Sequence, residues 1–317
     1  MRFLSKYPPS LIAILSLLLI GIQSRAQEAS PPVKVDAQGR TVRLNVLVTD
    51  SSNRPVIDLR AEDFRVAEEG KQQTITSFLR EELPVSYGLV VDSSGSMRVI
   101  LDHIIAAGKG IVASNRPGDE AFIMRFTDAE NIQIEQGFTS NGPALEEGLD
   151  NIFVEGGQTA VFDAINRSVD FLKKYRRTKE GERRRQAIVL ISDGEDRGSR
   201  ASSQDAILNR LREEDAQFFI IGLTRMSDMK GSREKAALFL TRIAEVTGGR
   251  AFFPKSTSEI PGIVDEIARD LHTQYVIGYT PSSVSPDGAF RKVQVTVTES
   301  PGRKKLNVIT RPGYEAN

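Results

Sequence analysis

The sequence of 317 residues has no cysteine, no tryptophan and two histidines. Without cysteine it cannot form a disulfide framework, a cysteine nucleophile, a thiolate zinc site or an iron–sulfur cluster. His103 and His272 are too few for a histidine-rich metal site, and they leave two possible bases for a Ser-His-Asp triad. The sequence therefore favours chemistry based on oxygen ligands.

The sequence also lacks an excess of either charge, since 42 basic residues balance 42 acidic ones. Binding of nucleic acid through bulk positive charge is excluded because neutralising phosphates needs a basic surplus. Hydrophobic residues make up 39% and charged residues 26%, a balance typical of globular proteins with a sizeable core. The length suits one large domain or two ordinary ones.

Long apolar runs are missing except near the start. Arg2 and Lys6 precede an apolar run over residues 11–22, and Ser24-Arg25-Ala26 places small residues where a signal peptidase cleaves. We predict a signal peptide over 1–26 and a polar linker over 27–39; an uncleaved N-terminal anchor is the alternative. No later stretch approaches the ~20 apolar residues of a membrane helix, so no transmembrane segment is expected after cleavage. Export without cysteine indicates a bacterial protein that is periplasmic, envelope-associated or secreted.

Two strand-rich regions flank the middle of the chain. In the N-terminal β region, 40–83, Val42, Leu44, Val46 and Val48 alternate with polar residues, and runs at 64–67 and 73–79 surround a hairpin turn. In the C-terminal β region, 275–317, strands are predicted at 275–279, 292–298 and 305–310. Neither region has enough strands to bury a core alone. We therefore expect them to pack together as one sandwich-like unit.

Between these regions, residues 84–274 alternate between apolar runs of strand length and amphipathic helical windows. The predicted strands lie at 87–91, 121–126, 187–191, 218–223 and 251–253, and the predicted helices at 99–113, 143–153, 160–175, 203–214, 234–247 and 260–272. Fully apolar strands separated by helices indicate a parallel sheet covered on both faces. A polar alternating segment at 132–136 is expected as an antiparallel edge strand. The predicted fold class is α/β: a doubly wound, mostly parallel, Rossmann-like sheet with a flanking β unit.

Oxygen-bearing residues follow two of these strands and precede one helix. Asp92-Ser93-Ser94-Gly95-Ser96 follows the first strand, Ser192-Asp193-Gly194 follows the third, and Gly156-Gly157-Gln158-Thr159 opens a helix. Because the carboxyl ends of parallel strands share one sheet edge, these loops are expected to converge. Carboxylates and hydroxyls in a compact set suit Mg²⁺ or Mn²⁺. The candidate ligands are Asp92, Ser94, Ser96, Thr159 and Asp193. Alternatively, the first loop is a turn that caps the next helix, and Thr159 is a helix cap.

The spacing of these motifs resembles the metal-ion-dependent adhesion site of von Willebrand factor type A (VWA) domains. Asp-x-Ser-x-Ser, Gly-Gly-x-Thr and Ser-Asp-Gly occur in the family's order across residues 84–272. The flanking regions resemble exported bacterial VWA-related proteins of acidobacterial type, including the terminal Arg311-Pro312-Gly313-Tyr314. The resemblance implies that the serines and threonine contact the metal, that one or both aspartates act through water, and that a sixth position takes a ligand carboxylate.

These motifs bear on three classes of function. The leading one is a non-enzymatic binding module, in which the metal bridges to an Asp or Glu carboxylate of a partner protein. The alternative is an exported metal-dependent hydrolase, against which stand the missing Gly-x-Ser-x-Gly elbow and the lack of an evident base near the loops. A nucleotide-binding domain lacks the Gly-x-Gly-x-x-Gly and Gly-x-x-x-x-Gly-Lys-Ser/Thr motifs. Outside the loops, His103 is expected on a helix surface, His272 against a helix dipole, and the basic stretch 173–185 in solvent.

Overall fold

A computed structural model describes residues 41–80, 83–179, 181–200, 203–225, 233–282, 288–298 and 305–316. The predicted signal peptide and linker lie outside these residues. Within the described part, no helix is both long and apolar enough to cross a membrane.

Four strands come from the N-terminal region: β1 Val42–Thr49, β2 Phe64–Glu68, β3 Lys71–Gln73 and β4 Ile75–Leu79. The turn between β2 and β3 places Glu69 at a φ of 48° and Gly70 at a φ of 76°. The second of these positions suits glycine, which adopts positive φ without strain. The single strand predicted over 73–79 is wrong. The chain switches sheets after Gln73, so β3 pairs with β2 whereas β4 pairs with a C-terminal strand.

The central sheet has six strands in the order β10-β9-β8-β5-β6-β7. They are β5 Val85–Asp92, β6 Glu120–Phe126, β7 Ile132–Thr139, β8 Arg185–Ser192, β9 Gln217–Gly222 and β10 Arg250–Phe252. The strands β5, β6, β8, β9 and β10 pair in parallel, and β7 pairs antiparallel with β6 at the edge, as its polar alternation predicts. Every residue of β5 is buried, because helices cover both faces of the sheet.

Within the part of the chain that the structure describes, six helices cover this sheet: α1 Leu101–Ala113, α2 Gly142–Asp150, α3 Val161–Thr178, α4 Gln204–Glu213, α5 Arg233–Thr247 and α6 Ile260–His272. Apolar residues of α1, α2 and α6 pack on one face and those of α3, α4 and α5 on the other. Two separate cores therefore enclose the sheet. The predicted doubly wound α/β class is confirmed.

The C-terminal strands are β11 Tyr275–Tyr279, β12 Phe290–Val297, β13 Asn307–Ile309 and β14 Gly313–Glu315. They interleave with the N-terminal strands in two four-stranded sheets, β13-β1-β11-β4 and β14-β12-β2-β3. A third core, which includes Leu44, Val46, Phe64 and Ile277, joins strands of both sheets. The flanking β unit of the predicted fold class is thus present, with one short strand, β14, that was not predicted. The boundaries at 84 and 275 stay predictions.

Several polar residues at the amino edge of the central sheet are buried rather than solvated. His272 is 6% exposed and contacts the Ala268 carbonyl and Asp119 Oδ2, both at 2.7 Å, in addition to lying at a helix end. Arg185, at the end of the basic stretch, is buried and donates to the Leu271 carbonyl. The solvated position predicted for that stretch is therefore wrong at Arg185. His103 is exposed on α1, as expected.

Candidate metal centre

The topology brings the three predicted loops to one edge of the central sheet. Asp92 is the last residue of β5, and Ser192 is the last residue of the parallel neighbour β8. Within the sheet, β6 lies beside one edge of β5, and β8, which comes later in the chain, lies beside the other edge. In open α/β sheets the crevice at such a switch point is the usual ligand site.

Hydrogen bonds connect the first loop internally and to β8. Asp92 is 0% exposed; its Oδ1 accepts from the Ser94 amide at 3.0 Å and its Oδ2 from the Ser192 hydroxyl at 2.7 Å. The hydroxyls of Ser94 and Ser96 share a hydrogen bond of 3.0 Å. The side chain of Ser96 is exposed, whereas Ser94 is buried. The loop therefore runs from a buried carboxylate to a hydroxyl at the surface.

Asp193 closes this arrangement from the neighbouring strand. Its side chain is 2% exposed, its Oδ1 accepts from the Glu195 amide at 3.1 Å, and it is hydrogen-bonded to Ser96. A continuous set of contacts thus links Asp92, Ser94, Ser96 and Asp193. The structure brings these four predicted residues together.

Thr159 reaches the same edge through backbone hydrogen bonds. Its carbonyl accepts from the amides of Arg197 and Gly198, at 2.8 and 3.0 Å, in the loop that follows Asp193. The N-cap position of α3 is Ala160 rather than Thr159, so the capping role considered for Thr159 is wrong.

The first turn of α3 is instead completed by the loop that follows Asp193. Asp196 Oδ1 and Ser199 Oγ both accept from the Phe162 amide, at 3.2 and 3.1 Å. Asp196 therefore binds free amides at a helix N-terminus, a position that favours negative charge. This contact was not predicted, because it joins residues that are 34 positions apart.

The electrostatics of the site suit a cation. Burial and the negative charge of Asp193 raise the pKa of Asp92 to about 7, and burial raises the pKa of Asp193. The groups that donate hydrogen bonds to Asp92, namely the amide and hydroxyl of Ser94 and the Ser192 hydroxyl, are neutral. Two neighbouring buried carboxylates cost free energy when both are ionised, and a bound cation would offset that cost.

The donor set fits Mg²⁺ or Mn²⁺, since all five candidate side chains offer hard oxygen atoms. Among the described residues, no group of three or more His, Cys, Asp or Glu side chains could hold a metal ion. That result follows from the composition of this set, in which two members are carboxylates and three are hydroxyls. Five oxygen donors are one fewer than the six of the octahedral geometry that Mg²⁺ prefers, so a sixth position would be available to an external oxygen.

A buried arginine beside the site was missed at the sequence level. Arg125, on β6, is 3% exposed and forms ion pairs with Glu135 at 2.5 Å and Glu155 at 2.9 Å. Glu155 in turn donates its amide to the Ser93 carbonyl, at 3.3 Å, inside the first loop. The sequence pointed to Arg125 through a single feature, a charged residue within the apolar run of β6.

Comparisons with known proteins agree with the residue pattern. No curated protein matches the chain significantly. Among solved structures, the chain is similar to an aerotolerance-related membrane protein from Bacteroides fragilis, with 19% identity, 58% of this chain and 98% of that one covered, and a TM-score of 0.44. It is similar to a von Willebrand factor type A protein from Catenulispora acidiphila, with 11% identity, coverages of 87% and 75%, and a TM-score of 0.49. It is also similar to the von Willebrand factor domain of a type V pilus tip protein from Porphyromonas gingivalis, with 13% identity, coverages of 60% and 95%, and a TM-score of 0.45.

These three similarities concern the fold. The family model of the von Willebrand factor type A domain, by contrast, matches residues 88–195, a segment that begins in β5 and ends just after Asp193. The matched third of the chain contains all five candidate ligands. Residues 88–195 therefore belong to a von Willebrand factor type A domain.

Proposed function

We propose that the chain is an exported protein-binding module, without enzymatic activity, that acts in adhesion or assembly. Asp92, Ser94, Ser96, Thr159 and Asp193 would hold Mg²⁺ or Mn²⁺, and the ion would supply a Lewis-acidic position for an Asp or Glu carboxylate of a partner protein. The observation that carries the proposal is the pairing of two buried carboxylates, Asp92 and Asp193, with hydroxyl donors at a sheet edge. Export rests on the predicted signal peptide over residues 1–26.

The chemistry of binding follows from charge. A charged contact made in a partly desolvated site is strong and directional, so a single carboxylate can anchor a partner. Hydroxyl ligands carry no charge and leave the ion attractive to an external anion. Replacing Ser94 with aspartate should therefore tighten metal binding and weaken partner binding.

Metal binding is tested by isothermal titration calorimetry with Mg²⁺ on wild type, Asp92→Ala and Asp196→Asn. Asp92→Ala removes a ligand and should abolish the binding heat while leaving the circular dichroism spectrum unchanged. Asp196→Asn is the matched control: it removes a nearby negative charge that caps α3, and the amide oxygen can still accept from the Phe162 backbone. Wild-type affinity in folded Asp92→Ala would refute the assigned site.

Partner chemistry is tested by selecting peptides from a random library on the immobilised protein in Mg²⁺. Selected peptides should contain Asp or Glu, lose binding in EDTA, and lose it when that residue becomes Asn or Gln. Ca²⁺ should restore binding poorly, because it prefers six to eight oxygen ligands at longer distances. Thr159→Ala should reduce peptide binding more than Mg²⁺ binding, since both carboxylates remain. Peptides that bind equally in EDTA would place the interface elsewhere.

The competing hydrolase predicts a different outcome. Phosphatase and esterase assays in Mg²⁺ should show no turnover above that of Asp92→Ala. Turnover that depends on both Mg²⁺ and Asp92 would replace the binding function with catalysis.

A further inference from the structure

We infer that Arg125 is a positioning residue for the candidate metal centre: acting through Glu155, it holds the loop that carries Thr159. We call residues 153–160 the Thr159 loop. The inference deepens the proposed function and rests on it, because it assigns Arg125 and Glu155 to the same site.

The guanidinium of Arg125 joins a rigid hairpin to this loop. Its Nε donates to Glu135 Oε1 at 2.5 Å and its Nη2 to Gln133 Oε1 at 2.9 Å, both on β7, the antiparallel neighbour of β6. Its Nη1 donates to Glu155 Oε2 at 2.9 Å. The planar fork of an arginine can satisfy three acceptors in fixed directions, which a lysine cannot do. Glu155 is thereby fixed relative to the central sheet.

An aromatic side chain completes the enclosure of this arginine. The ring of Phe153 lies over the guanidinium, with its centroid 4.5 Å from Cζ, although about half of the Phe153 side chain is exposed. A cation beneath an aromatic ring is stabilised electrostatically. Phe153 begins the Thr159 loop, so the loop contacts Arg125 through two of its residues.

The Thr159 loop needs such an anchor because of its composition. Gly156 and Gly157 adopt φ values of 77° and 117°, and glycines lose more conformational entropy on ordering than other residues. On the far side of the glycines, the Ala160 amide donates to the Thr127 carbonyl at 2.8 Å. On the near side, Glu155 is held by Arg125, by the Thr127 hydroxyl at 3.5 Å, and by its amide bond to the Ser93 carbonyl.

Ser93 connects this anchor to the proposed ligands, since it lies between Asp92 and Ser94. Without Arg125, the carboxylates of Glu135 and Glu155 would lose their shared counter-charge and repel each other. Glu155 would then be held less firmly, and the glycine segment between Glu155 and Thr159 would open more often. Residues that orient metal ligands typically contribute about 10- to 100-fold in metal affinity.

The chain offers a closely matched control in Arg250. This arginine also pairs with two carboxylates, Glu266 at 2.9 Å and Asp270 at 2.6 Å, and also lies 4.5 Å from a phenylalanine ring centroid, that of Phe252. It begins β10, so it lies at the amino edge of the parallel sheet, opposite the candidate site. Arg250→Met removes the same kind of interaction without touching the Thr159 loop.

The first arm of the test is hydrogen exchange in metal-free protein. Arg125→Met should raise the exchange rates of the Glu155 and Ala160 amides, which donate to the Ser93 and Thr127 carbonyls, at least about tenfold, because a partly anchored loop opens more often. Arg250→Met should leave these rates unchanged. Glu155→Gln keeps a hydrogen-bond acceptor but loses the charge and should show a smaller increase; it also serves if Arg125→Met does not fold. Equal exchange in wild type and both Arg125 and Glu155 variants would overturn the inference.

The second arm is calorimetric titration with Mg²⁺. In the otherwise wild-type protein, Arg125→Met should weaken Mg²⁺ binding about 10-fold or more. In a protein that already carries Thr159→Ala, it should cause no further loss of Mg²⁺ affinity, because its effect passes through Thr159. Additive losses would overturn the inference and leave Arg125 a merely structural residue. If wild type does not bind Mg²⁺, the proposed function fails, and the exchange arm still decides whether Arg125 positions the loop.

Discussion

Replacing Asp92 with asparagine should stabilise the metal-free protein at neutral pH and remove its response to Mg²⁺. Asparagine keeps the shape of the side chain, and its oxygen can accept from the Ser94 amide as Asp92 does now. The Ser192 hydroxyl, which now donates to Asp92, can rotate and accept from the new amide group. The substitution thus removes a buried charge and costs few contacts.

The size of the effect follows from the pKa of Asp92, which burial and the charge of Asp193 raise from 3.8 to about 7. A tenfold change in proton affinity is about 1.4 kcal/mol, so ionising Asp92 in the folded, metal-free protein costs on the order of 4 kcal/mol more than in the unfolded chain. Because the folded pKa is raised, this cost is absent below about pH 4, grows as the pH rises, and is complete above about pH 7. The advantage of Asp92→Asn should follow the same profile.

Urea denaturation in EDTA between pH 4 and pH 8 measures this difference directly. Asp92→Asn and wild type should be equally stable at pH 4, and the variant should be more stable by about 2 to 4 kcal/mol at pH 8. Mg²⁺ at about one hundred times its dissociation constant should stabilise wild type by about 2.7 kcal/mol and leave the variant unchanged.

Asp128→Asn is a control for which the opposite change in stability is expected. Hydrogen bonds from the Asn131 side chain, which outweigh burial, lower the pKa of Asp128. Its neutralisation should therefore destabilise the protein at pH 8. A destabilised Asp92→Asn protein in EDTA, or one that Mg²⁺ still stabilises, would show that Asp92 is a structural residue.

Three further predictions concern the scaffold. Burial raises the pKa of Asp119, but hydrogen bonds from His272 and from the Arg116 and Val85 amides outweigh burial and lower that pKa overall. Asp119→Asn should therefore reduce the stability of the protein at pH 7. It should also flatten the loss of stability below about pH 4, as monitored by circular dichroism. Deleting residues 281–317 removes β13 from beside β1 and β12 from beside β2 and exposes the core of the β unit, so this protein should aggregate in light-scattering measurements. Gly88→Ala would place a Cβ 2.2 Å from the Phe122 ring and should cost about 1–3 kcal/mol in urea denaturation, whereas Gly137→Ala, which meets no atom within 4 Å, should cost less.

The central sheet could be predicted from sequence because its strands are buried on both faces. A strand such as β8, with the apolar run Ala187 to Ile191, differs sharply from the amphipathic helices around it, and six predicted helices have counterparts in the structure. The antiparallel edge strand β7 was predictable for the opposite reason. Apolar and polar residues alternate at its start, and most of its residues are half-buried.

Strands that change sheets are harder to predict. Alternation continues from Gln73 into Ile75, so the pattern favours one strand, yet Gln73 pairs with Val66 and Ile75 pairs with Tyr279. Only long-range pairing distinguishes the two cases. The three-residue strand β14 was missed because so short a segment has no measurable periodicity.

The same distinction applies to the candidate site. Oxygen donors could be selected from sequence because each follows a recognisable strand or precedes a helix. The residues that hold the loops could not, since their partners are distant: Asp196 binds the Phe162 amide of α3, and Arg125 binds Glu155. Local patterns specify which atoms face the site, whereas tertiary contacts specify how firmly they are held.

The same division bears on how the proposed metal site would bind an ion. The backbone carbonyls of Ser93 and Thr159 accept hydrogen bonds from Glu155 and from Arg197 and Gly198, so the three loops are joined by contacts that need no metal. Asp92 and Asp193, by contrast, are buried near each other at a cost that a cation would offset. Loops that are already ordered spend little binding energy on folding around an ion, and the carboxylates gain most from a compact divalent cation. A site built this way should couple metal binding to the stability of β5 and β8 while moving the backbone little, so amide exchange in β5 should slow on addition of Mg²⁺ without a change in the circular dichroism spectrum.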